Sequence, residues 1–152
     1  MGILRQSRKL IMKNLMGYMN PGGEMVIAVL RGGLKMGVRM VIFFAWYKNG
    51  RKYFSGSMRD GKSDGAFNTW FTDGKIRNQG IFLSGKRIVQ WKSWYDSGQQ
   101  SSIVNFEEDK ILECSFWNEA GETIYQGKDT KRCNEIYVSY YNTYSLESDE
   151  PS

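Results

Sequence analysis

Histidine is absent from all 152 residues. That absence removes the most frequent general base, the Ser-His and Cys-His nucleophile pairs and every histidine-containing metal site. Cysteine occurs only at Cys114 and Cys133, without metal-type spacing; a disulfide between them stays open, but two reduced thiols in a cytosolic protein are the expectation. No apolar run reaches the roughly 20 residues that cross a bilayer. The two strongest, Met25 to Leu30 and Met40 to Tyr47, are separated by a stretch holding Arg31, Lys35 and Arg39, so a soluble, cytoplasmic chain is expected. Acid is missing from the first 23 residues, which carry Arg5, Arg8, Lys9 and Lys13. Residues 1–17 read as a solvated basic arm, with organelle targeting left open, since the continuous apolar stretch of a secretory signal is not there.

What is present is a repeated phrase, an aromatic pair followed by a turn ending in glycine. It stands at Trp46-Tyr47-Lys48-Asn49-Gly50, Trp70-Phe71-Thr72-Asp73-Gly74 and Trp94-Tyr95-Asp96-Ser97-Gly98, at intervals of 24 residues. A looser copy, Phe116-Trp117-Asn118-Glu119-Ala120-Gly121, has its glycine one residue early. A fixed period of this length means an array of one supersecondary unit. Asp73-Gly74 suits the positive backbone angles of a tight hairpin turn. The chain then returns as a strand through Ile76 to Leu83, turns at Ser84-Gly85 and climbs through Ile88 to Trp91 into the next pair.

Glycines repeat that register. Gly61 and Gly85 lie 11 residues after the first-turn glycines Gly50 and Gly74, and mid-strand Gly56 and Gly80 lie six after them. A missing side chain in mid-strand lets a bulky neighbour lie across the backbone or lets the sheet bend. The template finds an irregular first copy in Tyr18 to Gly22 with Gly33 and Gly37, and a closing strand is expected over 136–144, with a disordered acidic tail over 145–152. The predicted fold is all-β: an elongated antiparallel β-meander of roughly five hairpin repeats over 18–144. Up to Asn105 the chain holds 17 Lys and Arg against 5 acids and beyond it 4 against 11, a split of +12 and −7. In a linear array sequence position is spatial position, so one end should be basic and the other acidic.

The phrase aromatic-aromatic-x-Asn/Asp-Gly, followed about ten residues on by Asp60-Gly61-Lys62-Ser63-Asp64-Gly65, resembles the MORN repeat (membrane occupation and recognition nexus), in the bacterial form found in YwqK-type antitoxins of toxin–antitoxin systems. The match covers Trp46 to Gly98 well and Tyr18 to Gly127 loosely. The resemblance implies a twisted single-sheet scaffold that binds a partner, and it says more about fold than about activity. The third and fourth copies depart from it by losing the second-turn glycine motif.

Neighbouring strand residues face opposite sides of a sheet. Trp46, Trp70, Trp94 and Phe116 should then form one column and Tyr47, Phe71, Tyr95 and Trp117 another on the reverse. Packing is the simpler reading for the first column, stacked rung on rung. The second, with Trp91 beside Tyr95, is read as the lining of a groove for a partner chain, which makes Tyr47, Phe71, Trp91, Tyr95 and Trp117 the candidate partner-binding residues. The cations Arg51, Lys52, Lys62, Lys75, Arg77, Lys86, Arg87 and Lys92 lie in or beside turns, where solvated charge blunts sheet edges. Interleaved with aromatics, they also suit an anionic membrane surface, while no signature of a nucleic-acid module supports nucleic acid. Asp60 with Asp64, and Glu107, Glu108 and Asp109, are explained as turn acids and a surface acidic run. Gly61 to Gly65 lacks the spacing of a phosphate loop. No catalytic residue, cofactor or metal is expected. The function expected is non-enzymatic binding of another protein, such as a toxin neutralised by occlusion in the manner of an antitoxin or immunity protein; the alternative is a structural subunit or membrane-surface adaptor of a larger assembly.

Overall fold

The computed structural model describes residues 25–28 and 40–144, with side chains from residue 40 to residue 141. The basic arm, the irregular first copy around Tyr18 to Gly22, Gly33 and Gly37, and the acidic tail lie outside the described residues. Among the described residues, ten strands form one antiparallel sheet: β1 (Met25–Ala28), β2 (Met40–Trp46), β3 (Lys52–Arg59), β4 (Lys62–Ser63), β5 (Gly65–Trp70), β6 (Ile76–Leu83), β7 (Lys86–Trp94), β8 (Gln100–Glu107), β9 (Lys110–Trp117) and β10 (Thr123–Gly127). They pair in chain order, with the short β4 on β3, so the expected elongated all-β meander is the architecture found. One helix, α1 (Thr130–Tyr144), follows.

The period comes from two turns that alternate along the sheet. In the first, the residue after each tryptophan donates its amide to the carbonyl of the residue four further on: Tyr47 to Arg51, Phe71 to Lys75, Tyr95 to Gln99 and Asn118 to Glu122. The second turn puts two successive residues at positive φ: Asp60 (48°) and Gly61 (82°), Ser84 (50°) and Gly85 (88°), Glu108 (47°) and Asp109 (70°). That is the two-residue hairpin turn whose twist matches its flanking strands. The third repeat makes it without glycine. Four residues beyond Gly61, Gly65 also has positive φ, 107°, and its counterpart one repeat later is Val89, at φ 52° and 53% exposed. A β-branched residue there crowds its own backbone.

The core lies on one face. Trp91 is laid across Gly80 so closely that a Cβ on that glycine would fall 2.1 Å from the indole, which is the mid-strand role that the glycine spacing implied. The indole donates to the Ile81 carbonyl at 3.2 Å. It packs on Phe82 (4.9 Å between ring centroids), Phe67 (5.3 Å) and Phe106 (6.3 Å). Each such pair contributes about 0.5–1.5 kcal/mol beyond the area it buries. Val104, Ile111, Cys114, Phe116 and Cys133 complete the buried cluster.

Two expectations are corrected at the C-terminal end. The segment expected as a closing strand is helical, because Cys133, Ile136, Tyr137, Tyr140 and Tyr141 fall at i, i+3, i+4, i+7 and i+8 and bring one apolar stripe onto the sheet. Asp129 caps it, its carboxylate accepting from the Arg132 amide at 3.1 Å. The cysteines are not reduced thiols: Cys114 on β9 and Cys133 in the first turn of α1 form a disulfide with Cα atoms 5.8 Å apart. Folding of the stripe onto β9 brings together two residues separated by 19 in sequence.

Arg87 fastens the helix to the second-turn edge. Its guanidinium donates to the Asp109 carboxylate at 2.7 Å and to the Tyr137 hydroxyl at 2.8 Å, and lies 4.4 Å from the Phe106 ring centroid. Burial pushes the Tyr137 hydroxyl to titrate well above the ordinary phenol range. Partial burial raises the Asp109 carboxyl, but the bonds from Arg87 outweigh it and hold the group below its ordinary value.

Two measurements test this account. Val89→Gly is expected to raise stability by about 0.5–1 kcal/mol, because relief of left-handed strain exceeds the entropy of an added glycine; a lower Tm would show that the isopropyl group matters more than the strain. Asp109→Asn keeps a side chain tolerant of positive φ and able to accept the Arg87 amide, so the loss isolates the half-exposed ion pair, about 0.5–1 kcal/mol at neutral pH. The folded carboxyl titrates below the unfolded one, so its contribution is complete above the ordinary value of 3.8 and is lost as pH falls through the folded value. Wild type and variant should therefore converge in acid, and a constant difference across the range would refute the electrostatic origin.

Candidate interaction surface

Strand register divides the aromatic residues between two faces. Phe43, Gly56, Phe67, Gly80, Trp91, Val104 and Cys114 share the face on which α1 lies, as their cross-strand partnerships require. The opposite face carries no helix among the described residues. There Trp46 stands beside Lys52, Trp70 beside Ile76, Trp94 beside Gln100 and Trp117 beside Thr123. Because β2, β3 and β5 to β10 are consecutive neighbours, these eight residues form one row at right angles to the strands. All four tryptophans in it are half-buried. Lys52 holds its ammonium 5.3 Å from the Phe44 ring centroid and 5.5 Å from that of Trp70, a cation–π pairing worth about 0.5–1 kcal/mol at an accessible site.

A bulge sets the other half of the row. Each strand leaving a first turn carries one extra residue, so the register shifts between Ala45 and Trp46, Thr69 and Trp70, Ser93 and Trp94, and across Thr123 and Tyr125. The extra residue is skipped, so Lys52, Ile76, Gln100 and Thr123 come to stand beside the tryptophans, while each tryptophan faces away from the core by alternation alone, three residues after Phe43, Phe67, Trp91 or Cys114. Beside the row runs a polar one, with Ser55 paired to Asn68, Asn68 to Gln79 and Gln79 to Lys92. Asn68 donates to Ser55 at 3.3 Å.

The expected columns are reassigned in the fourth repeat. Counted from the glycine, the fourth repeat aligns Trp117 with Trp46, Trp70 and Trp94, and Phe116, 1% exposed, belongs to the core. Hydrogen bonds fix this alignment. The Tyr47 hydroxyl donates to the Trp70 carbonyl at 2.7 Å, and the Tyr95 hydroxyl to the Trp117 carbonyl at 2.8 Å. Of the candidate partner-binding residues, Trp91 (7% exposed) and Tyr95 (5%) are core and present no surface. Tyr95 lies against Tyr140 of α1, ring centroids 6.1 Å apart. Tyr47 and Phe71 are half-buried at the turns, where Tyr47 meets Tyr53 (5.0 Å) and Phe71 meets the Arg77 guanidinium (5.6 Å). Only Trp117 of the five stands on the helix-free face. The tryptophans read as packing residues, Trp46, Trp70 and Trp94, are the ones left beside it, and the constant four-residue step from tryptophan to glycine was the signal that could have grouped them.

Many of the turn cations act within the array. Arg51 donates to the carbonyls of Thr72 and Asp73, and Lys75 to the Asp96 carbonyl at 2.8 Å, so the turn at Gly50 is tied to the one at Gly74 and that one to the turn at Gly98. The Lys75 amide and ammonium both hold the Asp73 carboxyl below its ordinary value. At the other edge Lys86 meets Glu108 at 2.8 Å and each moves the other toward its charged form. No group of acidic or cysteine side chains suited to a metal ion occurs among the described residues, and none of their helices is long and apolar enough to cross a membrane. No model of a known protein family matches the chain, and no curated protein matches it.

Phe71 occupies the position from which Tyr47 and Tyr95 each reach the carbonyl of the next repeat's tryptophan. Phe71→Tyr should extend that ladder to the Trp94 carbonyl and raise stability by about 0.5–1.5 kcal/mol. An unchanged Tm in thermal melts would show that the hydroxyl ladder is incidental to repeat stacking.

Proposed function

We propose that the chain is a non-enzymatic protein-binding repeat module that engages its partner with the tryptophan row. The observation that carries this reading is the set of four tryptophans, half-buried yet aligned on a sheet face that no helix covers among the described residues. Tryptophan is the side chain that most often anchors a protein interface, and Lys52 and Lys92 on the same face favour an acidic partner. Inhibition of a toxin by occlusion, which the resemblance to antitoxins implies, needs only such a surface and no reacting group. The closed disulfide supports a chain that folds where thiols oxidise, in place of the cytosol that two distant cysteines suggested.

The test is affinity capture with the full chain as bait, beside a Trp70→Ala, Trp94→Ala bait checked for folding by thermal melting. A stoichiometric protein partner should be recovered by the wild type and reduced at least tenfold with the folded variant. Equal recovery by both would remove the row from the binding surface.

A further inference from the structure

The spacing of the tryptophan row selects the shape of what lies on it. Successive tryptophans are two strands apart, and neighbouring strands are about 4.7–4.9 Å apart, so the indoles recur at roughly 9.4–9.8 Å. A polyproline II helix has three residues per turn at about 3.1 Å each, and so repeats one side of itself at roughly 9.3 Å. Other extended forms fit less well. A β-strand turns residues i and i+3 to opposite sides, and its same-side repeat is about 6.6–6.8 Å. An α-helix returns to one side every seven residues, at about 10.5 Å, and needs a groove for its diameter rather than an open face.

Hydrogen-bonding capacity points the same way. A polyproline II segment makes no internal hydrogen bonds and offers carbonyls all round, so its receptor must be rich in donors. Beside the indoles stand the amides of Asn68 and Gln79 and the ammonium of Lys92. Among the described residues, the indole N–H with a partner inside the protein is that of Trp91, on the other face. The ammonium of Lys52 above Trp70 adds attraction for acid within or beside the segment.

We infer that the row is a receptor for a proline-rich, acidic segment in the polyproline II conformation, laid across the strands with one proline at each tryptophan interval. This rests on the reading of the row as a protein-binding surface and names the partner's local structure. Neighbouring strands rotate by about 20–25°, so a straight ligand follows the row for two or three tryptophans. The site is therefore centred on Trp70 and Trp94, and a Pro-x-x-Pro-x-x-Pro stretch fills it.

The experiment titrates the full chain with three synthetic peptides of identical acidic, proline-rich composition, following tryptophan emission and confirming by calorimetry. Each holds three prolines, which stand three residues apart in one peptide and two or four residues apart in the others, the remaining residues being the same and redistributed around them. The three-residue spacing should bind at least tenfold more tightly than either alternative, and Trp70→Ala should weaken it at least tenfold. If that variant melts early, Lys52→Ala with Gln79→Ala serves instead, with an expected loss of at least threefold. Equal binding of the three peptides, or no binding of any, overturns the inference. If peptides fail while the full chain still captures a partner that the tryptophan variant loses, the row binds protein of another local structure; loss of that dependence as well overturns the wider reading too.

Discussion

The Trp91 indole lying across Gly80 is the contact on which the rest of the molecule depends. A meander that adds hairpins in one direction makes a single layer, and a single layer has no second sheet to bury its apolar face against. Here the aromatic side chains of that face lie down on it. The glycine opposite removes the Cβ that would hold the ring off, and Phe67, Phe82 and Phe106 close around the indole edge-on or tilted. Neighbouring repeats thereby share one buried group, so that each hairpin is stable only in the presence of the next.

Helix α1 ends the series by supplying from outside what a further repeat would have supplied. Cys133 joins it to Cys114, Tyr137 covers Phe106, and Tyr140 covers Phe116 and Tyr95. The bulge position filled by Tyr53 and Arg77 in earlier repeats is Ser101 in the third, wholly buried, which leaves room for the helix. At the turns the same change of function is visible. Arg51 and Lys75 reach forward to the next turn, whereas the fourth repeat has Glu122 in that place, an acceptor with no following carbonyl to serve. The split of charge along the chain is in part this arrangement, since Lys86 and Arg87 pair with Glu108 and Asp109 across the point where the sign changes.

Each aromatic pair of the repeat divides its labour by strand alternation. One member remains at the turn and stitches repeats together, through its hydroxyl in Tyr47 and Tyr95. The other is turned to the helix-free face and becomes part of a row whose interval is set by strand spacing alone. A surface of this kind has its period built into the backbone, so side-chain variation alters its affinity for a partner without altering the distance over which that partner must repeat.

The meander, its period and both turn positions were legible because they rest on local chemistry: glycine or a short polar residue where φ is positive, and a tryptophan four residues before each first-turn glycine. The glycine beneath Trp91 was legible as a gap that some ring would fill. The closing helix was also written in the chain, in the 3- and 4-residue steps from Cys133 to Tyr141, but a run rich in aromatic and β-branched residues suits a strand equally well until the sheet's apolar face is there to receive it. Alternation likewise separates Trp46, Trp70 and Trp94 from the residues that follow them, but it does not say which of the two faces a helix will cover. The sequence by itself therefore determined the repeat and its turns, which depend on neighbours along the chain. Which aromatic faced the core, which faced outward, and that Cys114 would meet Cys133, only the tertiary structure decided, because the docking of the helix on one face is settled by contacts between residues that the chain holds far apart.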